Sequence, residues 1–344
     1  MSEMICDIKS MTLTELETFC KKQGFPAFRA KQLYEWIHKK LVRSVDEMTN
    51  VPKNIRELMQ DNFVSLEIKE RYVSQIDGTN KFLFGLCDGN VVESVLMKYE
   101  HGNSVCISSQ VGCRMGCRFC ASTIGGLTRQ LRPSEMLDQI YAIQSVTGER
   151  VSHIVVMGTG EPLDNYENLL RFLHMISDEN GLNISQRNIT VSSCGIVPHI
   201  YDLANEQLAI TFAISLHAPT DEERRELMPI ANQYSIAELM QAVQYYFEKT
   251  KRRITFEYSL VAGQNDSRKQ AEKLADLLSG MMCHVNLIPV NPIRERDYKK
   301  SDKASIAQFK AVLEQHHIPV TVRRSMGKDI NAACGQLRKN YMER

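Results

Sequence analysis

The sequence predicts an α/β fold, in which a partial (β/α)6 TIM-like barrel follows a small helical domain. Two observations support this prediction. Six apolar runs typical of buried strands are each followed by a stretch with helical periodicity, an alternation that builds a parallel sheet with helices outside it. The residues before them show helical periodicity alone. With 344 residues, 43% of them hydrophobic, the chain can bury a large core.

The chain divides into three predicted parts. Residues 1–75 form a helical accessory domain, because apolar residues recur there every three or four positions. Residues 76–103 form a β-hairpin connector, since the alternating runs KFLFGL and VVESVLMKYE flank the turn sequence Asp-Gly-Asn at 88–90. Residues 104–344 form the barrel domain and end in a C-terminal segment rich in small residues.

Six strand–helix units account for most of residues 104–344. In barrels of this kind the chemistry occurs in the loops after the carboxyl ends of the strands, so motifs in those loops are candidates for a site. The predicted strands are VCISS, HIVVM, ITVSS, AITFAISL, ITFEYSL and VNLIPV, and the helices that follow them are 134–146, 166–177, 198–205, 235–249, 267–279 and 304–316.

Composition and the first residues argue against several broad classes of protein. The net charge is +1, from 42 Lys and Arg against 41 Asp and Glu, so no global basic field predicts a nucleic-acid partner. No apolar run approaches the roughly 20 residues that a membrane helix needs. The first residues, MSEMICDIKSM, lack the charged-then-apolar pattern of a signal peptide. We therefore expect a cytoplasmic protein without a membrane partner.

One dense cysteine trio, Cys113, Cys117 and Cys120, lies in SSQVGCRMGCRFCASTIGGL after the first predicted strand. In a reducing compartment such a trio indicates metal or redox chemistry rather than structural disulfides. Three thiolates so close in sequence can converge on one face of a four-iron four-sulfur cluster, and neighbouring glycines allow the tight backbone that this requires. One iron would stay open for the amino and carboxylate groups of S-adenosylmethionine (SAM).

Two other interpretations of the trio are a structural zinc site and chance clustering. Structural zinc normally takes four ligands in paired C-x2-C clusters, and the sequence contains no second cluster. The C-x3-C-x2-C spacing, with Phe119 just before the last cysteine, resembles the signature of radical SAM enzymes. That resemblance favours the iron–sulfur interpretation.

Polar residues follow several predicted strands and should meet at one rim of the barrel. Gly160 and Glu161 lie in the glycine-rich turn MGTGEP, where backbone groups and a carboxylate could meet the amino group of SAM. Each such residue, taken on its own, is more often an ordinary strand cap or turn residue, and only the shared rim favours a site. The later strands are followed or ended by Ser192, Ser215, His217 and Asn291.

Two further cysteines lie apart from the trio. Cys106 falls within the first predicted strand, and Cys334 falls in DINAACGQL near the C-terminus. From position alone, each is a small buried hydrophobe.

Motifs along nearly the whole chain resemble those of the RlmN/Cfr family of radical SAM RNA adenine methyltransferases. Between Glu93 and Leu337 they are ESVLMKYEHGNSVCISSQVGCRMGCRFCAS, MGTGEPLDN, ISLHAP with ERRELMPI, HVNLIPVNP and GKDINAACGQL. The helical segments PAFRAKQLYEWI and DEMTNVPK resemble the accessory domain of the same family. The resemblance implies a radical SAM barrel and an RNA-binding accessory domain.

The resemblance also implies the roles of particular residues. Cys334 would be methylated itself, Cys106 would be its resolving partner and Glu93 would accept a proton. Three cysteines would hold the cluster, and residues after the strands would hold SAM. The implied cluster ligands are Cys113, Cys117 and Cys120, and the implied SAM contacts are Gly160, Glu161, Ser192, Ser215, Leu216, His217 and Asn291.

The chemistry implied by the family explains why such parts are needed. Adenine C2 lies between two ring nitrogens and is electron-poor, so it cannot attack the methyl group of SAM. In a ping-pong use of two SAM molecules, one methylates Cys334 and the other yields a radical that removes hydrogen from that methyl. The methylene radical adds to the base. Proton loss to Glu93 and attack of Cys106 on the sulfur of Cys334 would release the RNA and leave a disulfide.

The implied partners are RNA and a redox protein. The substrates would be 23S rRNA at the peptidyl-transferase centre and the anticodon loop of certain tRNAs, and a low-potential electron donor such as flavodoxin would serve a monomeric enzyme. Most basic clusters are merely solvated faces, but the group at 294–300 follows the strand that precedes Asn291 and should border the site. Because the target base must leave its stack, RNA contacts should be mainly to backbone and shape.

Three alternatives to a C2 methyltransferase are considered. A Cfr-type enzyme would methylate adenine C8 of 23S rRNA and confer antibiotic resistance, but GTGEPLDN and NLIPVNP look less like the GEAL-type and NLIRYNP-type versions of that group. A non-catalytic RNA-binding protein with iron–sulfur or zinc would need neither Cys106 nor Cys334. A radical SAM reaction on a small molecule is disfavoured by the C-terminal ACGQL motif.

Overall fold

The structure is a computed structural model that describes residues 7–337. Its N-terminal part is helical, as predicted. The helices are α1 (Leu13–Lys22), α2 (Phe28–His38) and α3 (Lys53–Gln60), with short 3-10 helices at Ile8–Ser10 and Val45–Glu47. Thr12 begins α1 with a capping box in which its hydroxyl and the Glu15 carboxylate exchange bonds with each other's backbone N–H. The helices enclose a core of their own that includes Leu16, Leu33 and Ile37.

The helical domain is tied to the barrel by a buried ion pair. Lys9 is fully buried, and its Nζ atom lies 2.8 Å from Oδ1 of Asp138 on the first barrel helix. The other carboxylate oxygen of Asp138 accepts the backbone N–H of Leu66 at 2.6 Å. Arg43 also contacts this carboxylate. The helical domain therefore packs against the barrel through specific polar contacts.

Three antiparallel strands follow, namely β1 (Glu67–Val73), β2 (Asn80–Gly85) and β3 (Val91–Tyr99). The predicted hairpin is present as β2 and β3, with Gly89 at φ +83° in its turn. The predicted boundaries differ from the structure, because β1 lies inside the range expected to be helical. The hairpin is also more than a connector, since β3 pairs with the first barrel strand and so extends the main sheet.

The remaining strands and helices alternate as the sequence predicted. The strands are β4 (Gly102–Cys106), β5 (Gln110–Gly112), β6 (Leu127–Gln130), β7 (Val151–Val156), β8 (Ile189–Ser193), β9 (Thr211–Ser215), β10 (Ile254–Leu260), β11 (Cys283–Pro289) and β12 (Val320–Val322). The helices are α4 (Pro133–Thr147), α5 (Tyr166–Ile176), α6 (Val197–Asn205), α7 (Asp221–Leu227), α8 (Ile236–Thr250), α9 (Arg268–Leu277) and α10 (Lys303–Gln315).

The main sheet of the described residues has the order β1-β2-β3-β4-β7-β8-β9-β10-β11-β12. Neighbouring strands from β4 to β12 in this order are parallel, so their carboxyl ends lie at one end of a partial barrel. All six predicted barrel strands are confirmed. The sequence did not predict the seventh parallel strand, β12, or the short helix α7. The hairpin of β5 and β6 forms a separate small sheet beside the barrel.

Burial accounts for this arrangement. Every residue of β10 is buried, as expected for a central parallel strand covered on both faces. Helix α8 begins with a capping box between Ser235 and Glu238 and packs its apolar face on the sheet through residues such as Leu239 and Val243. Within residues 7–337, no helix is long and apolar enough to cross a membrane.

Candidate active site

A cavity opens at the carboxyl ends of the parallel strands, with about 970 Å³ of free space that continues into solvent. It brings together residues that are far apart in the sequence. Nearly all of the residues predicted for the cluster and for SAM line it. They are Cys113, Cys117, Cys120, Gly160, Glu161, Ser192, Ser215, His217 and Asn291, and Cys334 lines the same cavity.

The cysteine trio lies in the loop between β5 and β6. Gly116 adopts φ +71°, and an added Cβ atom would lie 3.2 Å from Pro229, so this position favours glycine. The hydroxyl of Thr123 donates to the carbonyl oxygens of Cys117 and Cys120, at 3.2 and 2.9 Å. Local hydrogen bonds thus shape the loop that carries the three thiols.

Burial sets the protonation of these thiols. It raises the pKa of Cys113 to about 12 and that of Cys117 well above its ordinary value, and the other thiols of the trio raise the pKa of Cys117 further. Burial also raises the pKa of Cys120. The thiols therefore stay protonated until a metal displaces the protons.

The arrangement of the trio fits a cluster rather than a single ion. Among residues 7–337, no three His, Cys, Asp or Glu side chains are grouped as ligands of one metal ion. A structural zinc site holds its sulfur ligands at about 2.3 Å from a single metal ion. A four-iron cluster is larger and spreads its thiolates, which need only face one cavity. The three thiols do face one cavity.

The glycine-rich turn after β7 closely approaches the segment that joins β4 to β5. A Cβ atom on Gly158 would lie 2.6 Å from the carbonyl oxygen of Ile107, and one on Gly160, which has φ +113°, would lie 2.6 Å from the side chain of Gln110. Only glycine fits at these two positions. The sequence prediction had assigned Gly160 a role toward SAM, and the structure adds this packing requirement.

Glu161 is buried in the cavity wall, and burial raises the pKa of its carboxyl. Its two carboxylate oxygens accept the backbone N–H groups of Leu163 and Cys194, at 3.0 and 2.8 Å. The carboxylate therefore begins a short helix and holds the loop after β8. Each oxygen has a further lone pair that a ligand ammonium group could use.

Among the other residues predicted to contact SAM, two serines and a histidine line the cavity, whereas a leucine does not. Ser192 and Ser215 lie at the ends of β8 and β9 with their hydroxyl oxygens 3.4 Å apart. His217 adopts φ +60°, and its Nδ1 accepts the backbone N–H of Ser259 at 2.8 Å, which leaves the proton on Nε2. Burial lowers the pKa of His217 to about 3, so the ring is neutral. The side chain of Leu216, by contrast, lies in the core rather than in the cavity wall.

The C-terminal segment is held across the mouth of the cavity. The carbonyl oxygen of Cys334 accepts a bond from the side chain of Asn291 at 3.1 Å. The carbonyl oxygen of Gly335 accepts the backbone N–H of Ala121, in the cluster loop, at 2.8 Å. Cys334 is thus fixed between the cluster loop and the loop after β11.

Cys106 ends β4 and packs against an apolar cluster that includes Ala332 and Leu337, on either side of Cys334, and the cysteines found among the described residues are free thiols. The pKa of Cys106 is raised to about 12, mainly by burial and also by the neighbouring Cys334 thiol, while Arg323 acts to lower it. Two cysteines separated by more than two hundred residues are therefore neighbours, which sequence position alone did not indicate.

Glu93 lies on β3 and is not among the residues that line the cavity. Its side chain is buried, and its Oε1 lies 3.0 Å from the Nζ of Lys81 on β2. Lys81 also donates to the carbonyl oxygen of Asn331 at 3.4 Å, three residues before Cys334. The predicted proton acceptor is thus connected to the C-terminal segment by a lysine.

Sequence reasoning missed three charged residues near the site, namely Lys81, Glu257 and Arg323. Glu257 and Arg323 line the cavity, with Arg323 Nη1 at 3.8 Å from Glu257 Oε2. Burial raises the pKa of Glu257. The available signal for Glu257 was a charged residue inside the apolar run ITFEYSL. The only signal for Arg323 was a second basic residue beside it, Arg324, and Lys81 gave no signal.

Two family profiles match this chain. The profile of the Radical SAM superfamily matches residues 107–278, which is half of the chain. The profile described as the ribosomal RNA large subunit methyltransferase N-terminal domain matches residues 6–64. The two matched ranges cover the cysteine trio and the helical domain.

Curated relatives named "Probable dual-specificity RNA methyltransferase RlmN" match nearly the full chain. The relative from Lachnoclostridium phytofermentans is 61% identical over 98% of this chain and 96% of its own. The relative from Clostridium botulinum is 57% identical over 98% of this chain and 97% of its own. A crystal structure of a radical SAM methyltransferase from Sphaerobacter thermophilus superposes with a TM-score of 0.93 at 42% identity, over 96% of this chain and 98% of that one.

Proposed function

Because the chain belongs to the RlmN family of radical SAM RNA methyltransferases, we propose that it methylates C2 of a specific adenosine in 23S rRNA and of an adenosine in certain tRNAs. The methyl group travels through Cys334, and two SAM molecules are used in turn. The names of the curated relatives, which describe dual-specificity RNA methyltransferases, support this choice of substrates.

One observation carries the proposal. Cys334 lines the same cavity as the cysteine trio and the residues proposed to contact SAM. A cysteine that only filled space in the core would be buried. Cys334 instead is exposed at the mouth of the cavity, and its carbonyl oxygen accepts a hydrogen bond from Asn291. A cysteine that relays a methyl group must be there.

We assign the cluster to Cys113, Cys117 and Cys120. SAM contacts would come from residues around the rim, and the side chain of Leu216 would stay in the core with only its backbone available. When bound, the two groups supply a low-potential electron, a carbon radical and, from a separate SAM, a methyl group. The rim residues proposed for SAM are Gly160, Glu161, Ser192, Ser215, Leu216, His217 and Asn291.

The protein residues then perform three tasks. Cys334 accepts the methyl group on its sulfur, and its methyl carbon, after losing a hydrogen atom, bonds to adenine C2. Restoring the aromatic ring requires loss of one electron, which the oxidised cluster would take back, and loss of the C2 proton, which Glu93 accepts. Lys81, paired with Glu93 at 3.0 Å, holds this carboxylate in place.

Release of the RNA requires Cys106. Its thiolate attacks the sulfur of Cys334, so a sulfur–sulfur bond forms while the bond from Cys334 to the methylene carbon breaks. The carbon takes up a proton and becomes the methyl group of the product. The resulting disulfide needs two electrons from a cellular reductant before the next turnover, and a reducing cytoplasm supplies such reductants.

RNA recognition is assigned to the helical domain and to the basic group at 294–300, which borders the cavity beyond β11. Residues Ile293 and Arg296 form an isolated bridge within this group, so the loop presents a defined turn. Arg43 and Arg252 are less suitable for RNA, because each side chain binds backbone carbonyl oxygens of this chain. A flavodoxin-like protein is the proposed electron donor.

The test of the proposal is the identity of the modified atom. Anaerobic protein with reconstituted cluster is incubated with SAM, a reductant and unmodified 23S rRNA or tRNA, and the nucleosides are analysed by mass spectrometry. We expect 2-methyladenosine in both RNAs. 8-Methyladenosine would identify the Cfr-type activity instead, and RNA binding without SAM cleavage would identify a non-catalytic protein.

A further inference from the structure

Arg224 is a fully buried arginine on α7, beneath the loop that carries the cluster cysteines. Within the described part of the chain, its side-chain hydrogen bonds go only to backbone carbonyl oxygens. Nη2 donates to Cys194 at 2.6 Å and to Ser215 at 3.4 Å, and Nε donates to Leu216 at 3.2 Å. The Nη1 atom is buried without a partner.

No carboxylate within residues 7–337 forms an ion pair with Arg224. The acidic residue on the same helix that acts on it electrostatically is Asp221, whose Oδ1 accepts the backbone N–H of Ile236 at 2.7 Å. Burying an unpaired charge is unfavourable, and here burial lowers the pKa of Arg224. An apolar side chain of similar length would fill this space without that penalty, so the charge needs another explanation.

The groups whose charge acts most strongly on Arg224 are thiols. Cys194 and the cluster residue Cys117 both act on Arg224, and Arg224 in turn favours the thiolate form of Cys117. The end of α7 is fixed to the same loop, because the backbone N–H of Arg118 donates to the carbonyl oxygen of Leu227 at 2.9 Å. Leu227 at the end of α7 and Cys194 belong to one apolar cluster against which Cys117 packs, so the guanidinium, bonded to the carbonyl oxygen of Cys194, is held next to the packing around a cluster cysteine.

We propose that Arg224 is the counter-charge of the iron–sulfur cluster, placed so that its unpaired guanidinium offsets the negative charge of the cluster thiolates. Three thiolates around a doubly positive four-iron core leave a net negative charge, and one-electron reduction increases it. A fixed cation nearby stabilises the reduced form more than the oxidised form, and so raises the reduction potential. This inference rests on the cluster site of the proposed function and adds a residue that tunes it.

A purely structural role is the competing explanation, since Arg224 also joins the ends of β8 and β9 through carbonyl bonds. The two roles differ in what they predict. A structural role affects the folded chain with or without the cluster, whereas a counter-charge acts only when the cluster is bound. Glutamine at this position keeps an amide donor and removes the charge, and lysine keeps the charge and loses the fork of donors.

The experiment compares Arg224→Gln and Arg224→Lys with the wild type, and uses Arg225→Gln as the matched control. Arg225 is the neighbouring arginine on the same helix and is exposed. Each full-length chain is reconstituted with iron and sulfide without oxygen. We measure the midpoint potential of the cluster by an EPR-monitored redox titration, and the rise in melting temperature that loading produces.

We expect a more negative midpoint potential and a smaller rise in melting temperature for Arg224→Gln, with Arg224→Lys and Arg225→Gln close to the wild type. Equal potentials in the Gln and Lys variants, or a loss of stability in Arg224→Gln that is the same in the apo and loaded chains, would overturn the proposal. If Arg224→Gln does not fold, the test rests on Arg224→Lys. A lowered midpoint potential in that variant, which keeps the positive charge, would contradict the proposal. A wild-type chain that takes up no cluster would refute the proposed function itself.

Discussion

The ammonium group of Lys81 lies 3.0 Å from a carboxylate oxygen of Glu93, and both side chains are nearly buried. The same ammonium group donates to the carbonyl oxygen of Asn331 at 3.4 Å. One lysine therefore links the proposed proton acceptor to the segment that carries Cys334. Because the pair is shielded from water, its geometry is more restrained than that of an exposed ion pair.

Replacing Lys81 with methionine should slow methylation by roughly tenfold to a hundredfold, less than the roughly 10²- to 10⁴-fold that a positioned general base contributes, because Glu93 itself is retained. The carboxylate of Glu93 would lose the contact that orients it, so proton loss from C2 would become the slow step. Single-turnover assays with RNA that carries deuterium at adenine C2 should then show a kinetic isotope effect in Lys81→Met and a smaller one in the wild type.

The matched control for this prediction is Lys98→Met. Lys98 lies on β3 with Glu93, at the opposite end of the strand, and forms an ion pair with Glu149 that is partly exposed. The Lys98→Met variant should therefore methylate RNA at the wild-type rate. An unchanged rate in Lys81→Met with no isotope effect would show that Glu93 needs no orientation by Lys81.

The two cysteines should give opposite phenotypes. Cys106→Ala should accumulate a covalent protein–RNA adduct, because nothing can attack the sulfur of Cys334 to release it. Cys334→Ala should lose methylation and adduct together while it keeps the iron content of the wild type. Denaturing gels of anaerobic reactions measure the adduct, and Cys87→Ala, an exposed cysteine outside the cavity, is the control. Turnover by Cys106→Ala without an adduct would defeat the scheme.

The turn between β1 and β2 holds the C-terminal segment through aspartates. Asp329 accepts the hydroxyl of Ser74 and the backbone N–H of Gln75, at 2.7 and 2.9 Å, and Asp77 accepts the backbone N–H of Gly327 at 2.9 Å. These contacts lower the pKa of Asp329, led by the bond from Ser74. The position of Cys334 therefore depends on a turn more than two hundred residues earlier in the chain.

Asp329→Asn should reduce methylation of Cys334 several-fold without loss of iron, because the amide replaces one acceptor oxygen with a donor. Mass spectrometry of the peptide that contains Cys334 measures S-methylcysteine directly. Asp302→Asn is the control, since Asp302 also accepts a backbone N–H and a serine hydroxyl, but at the start of α10. Equal S-methylcysteine in the two variants would show that the contact of Asp329 is not needed.

The barrel was predictable because its elements follow local rules. Strand β10 and helix α8 were visible as an apolar run and a helical period, and their bounds differ little from those predicted. Strand β12 was missed because it has only three residues, too few for a pattern. The assignment of β1 to the helical domain failed because it alternates half-buried and exposed residues, without an apolar face that stands out.

The site was only partly predictable for a different reason. The cysteine trio is local, so its spacing alone indicated a shared role. The partnership of Cys106 with Cys334 and of Lys81 with Glu93 depends on strand pairing and on the path of the C-terminal segment. The resemblance to a family suggested roles for Cys106, Cys334 and Glu93, but residue patterns could not reveal Lys81 or the charge of Arg224 behind the cluster.

The release step should depend on pH through Cys106. Burial raises the pKa of Cys106 to about 12, with a further contribution from Cys334, so at neutral pH the thiolate is a minor form that increases as the pH rises. Decay of the adduct, followed in single-turnover reactions, should accelerate roughly tenfold per unit between about pH 7 and 9, as expected for a group titrating far below its pKa.

Arg323 should determine how fast the adduct decays at each pH. Its guanidinium is the cation that lowers the pKa of Cys106, so Arg323→Gln should slow adduct decay at every pH in that range and leave the slope unchanged. Arg323→Lys should recover part of the rate, and the exposed neighbour Arg324, changed to Gln, should have no effect. Adduct decay that is flat between pH 7 and 9, or equal in Arg323→Gln and the wild type, would mean that RNA binding rather than Arg323 activates the thiol.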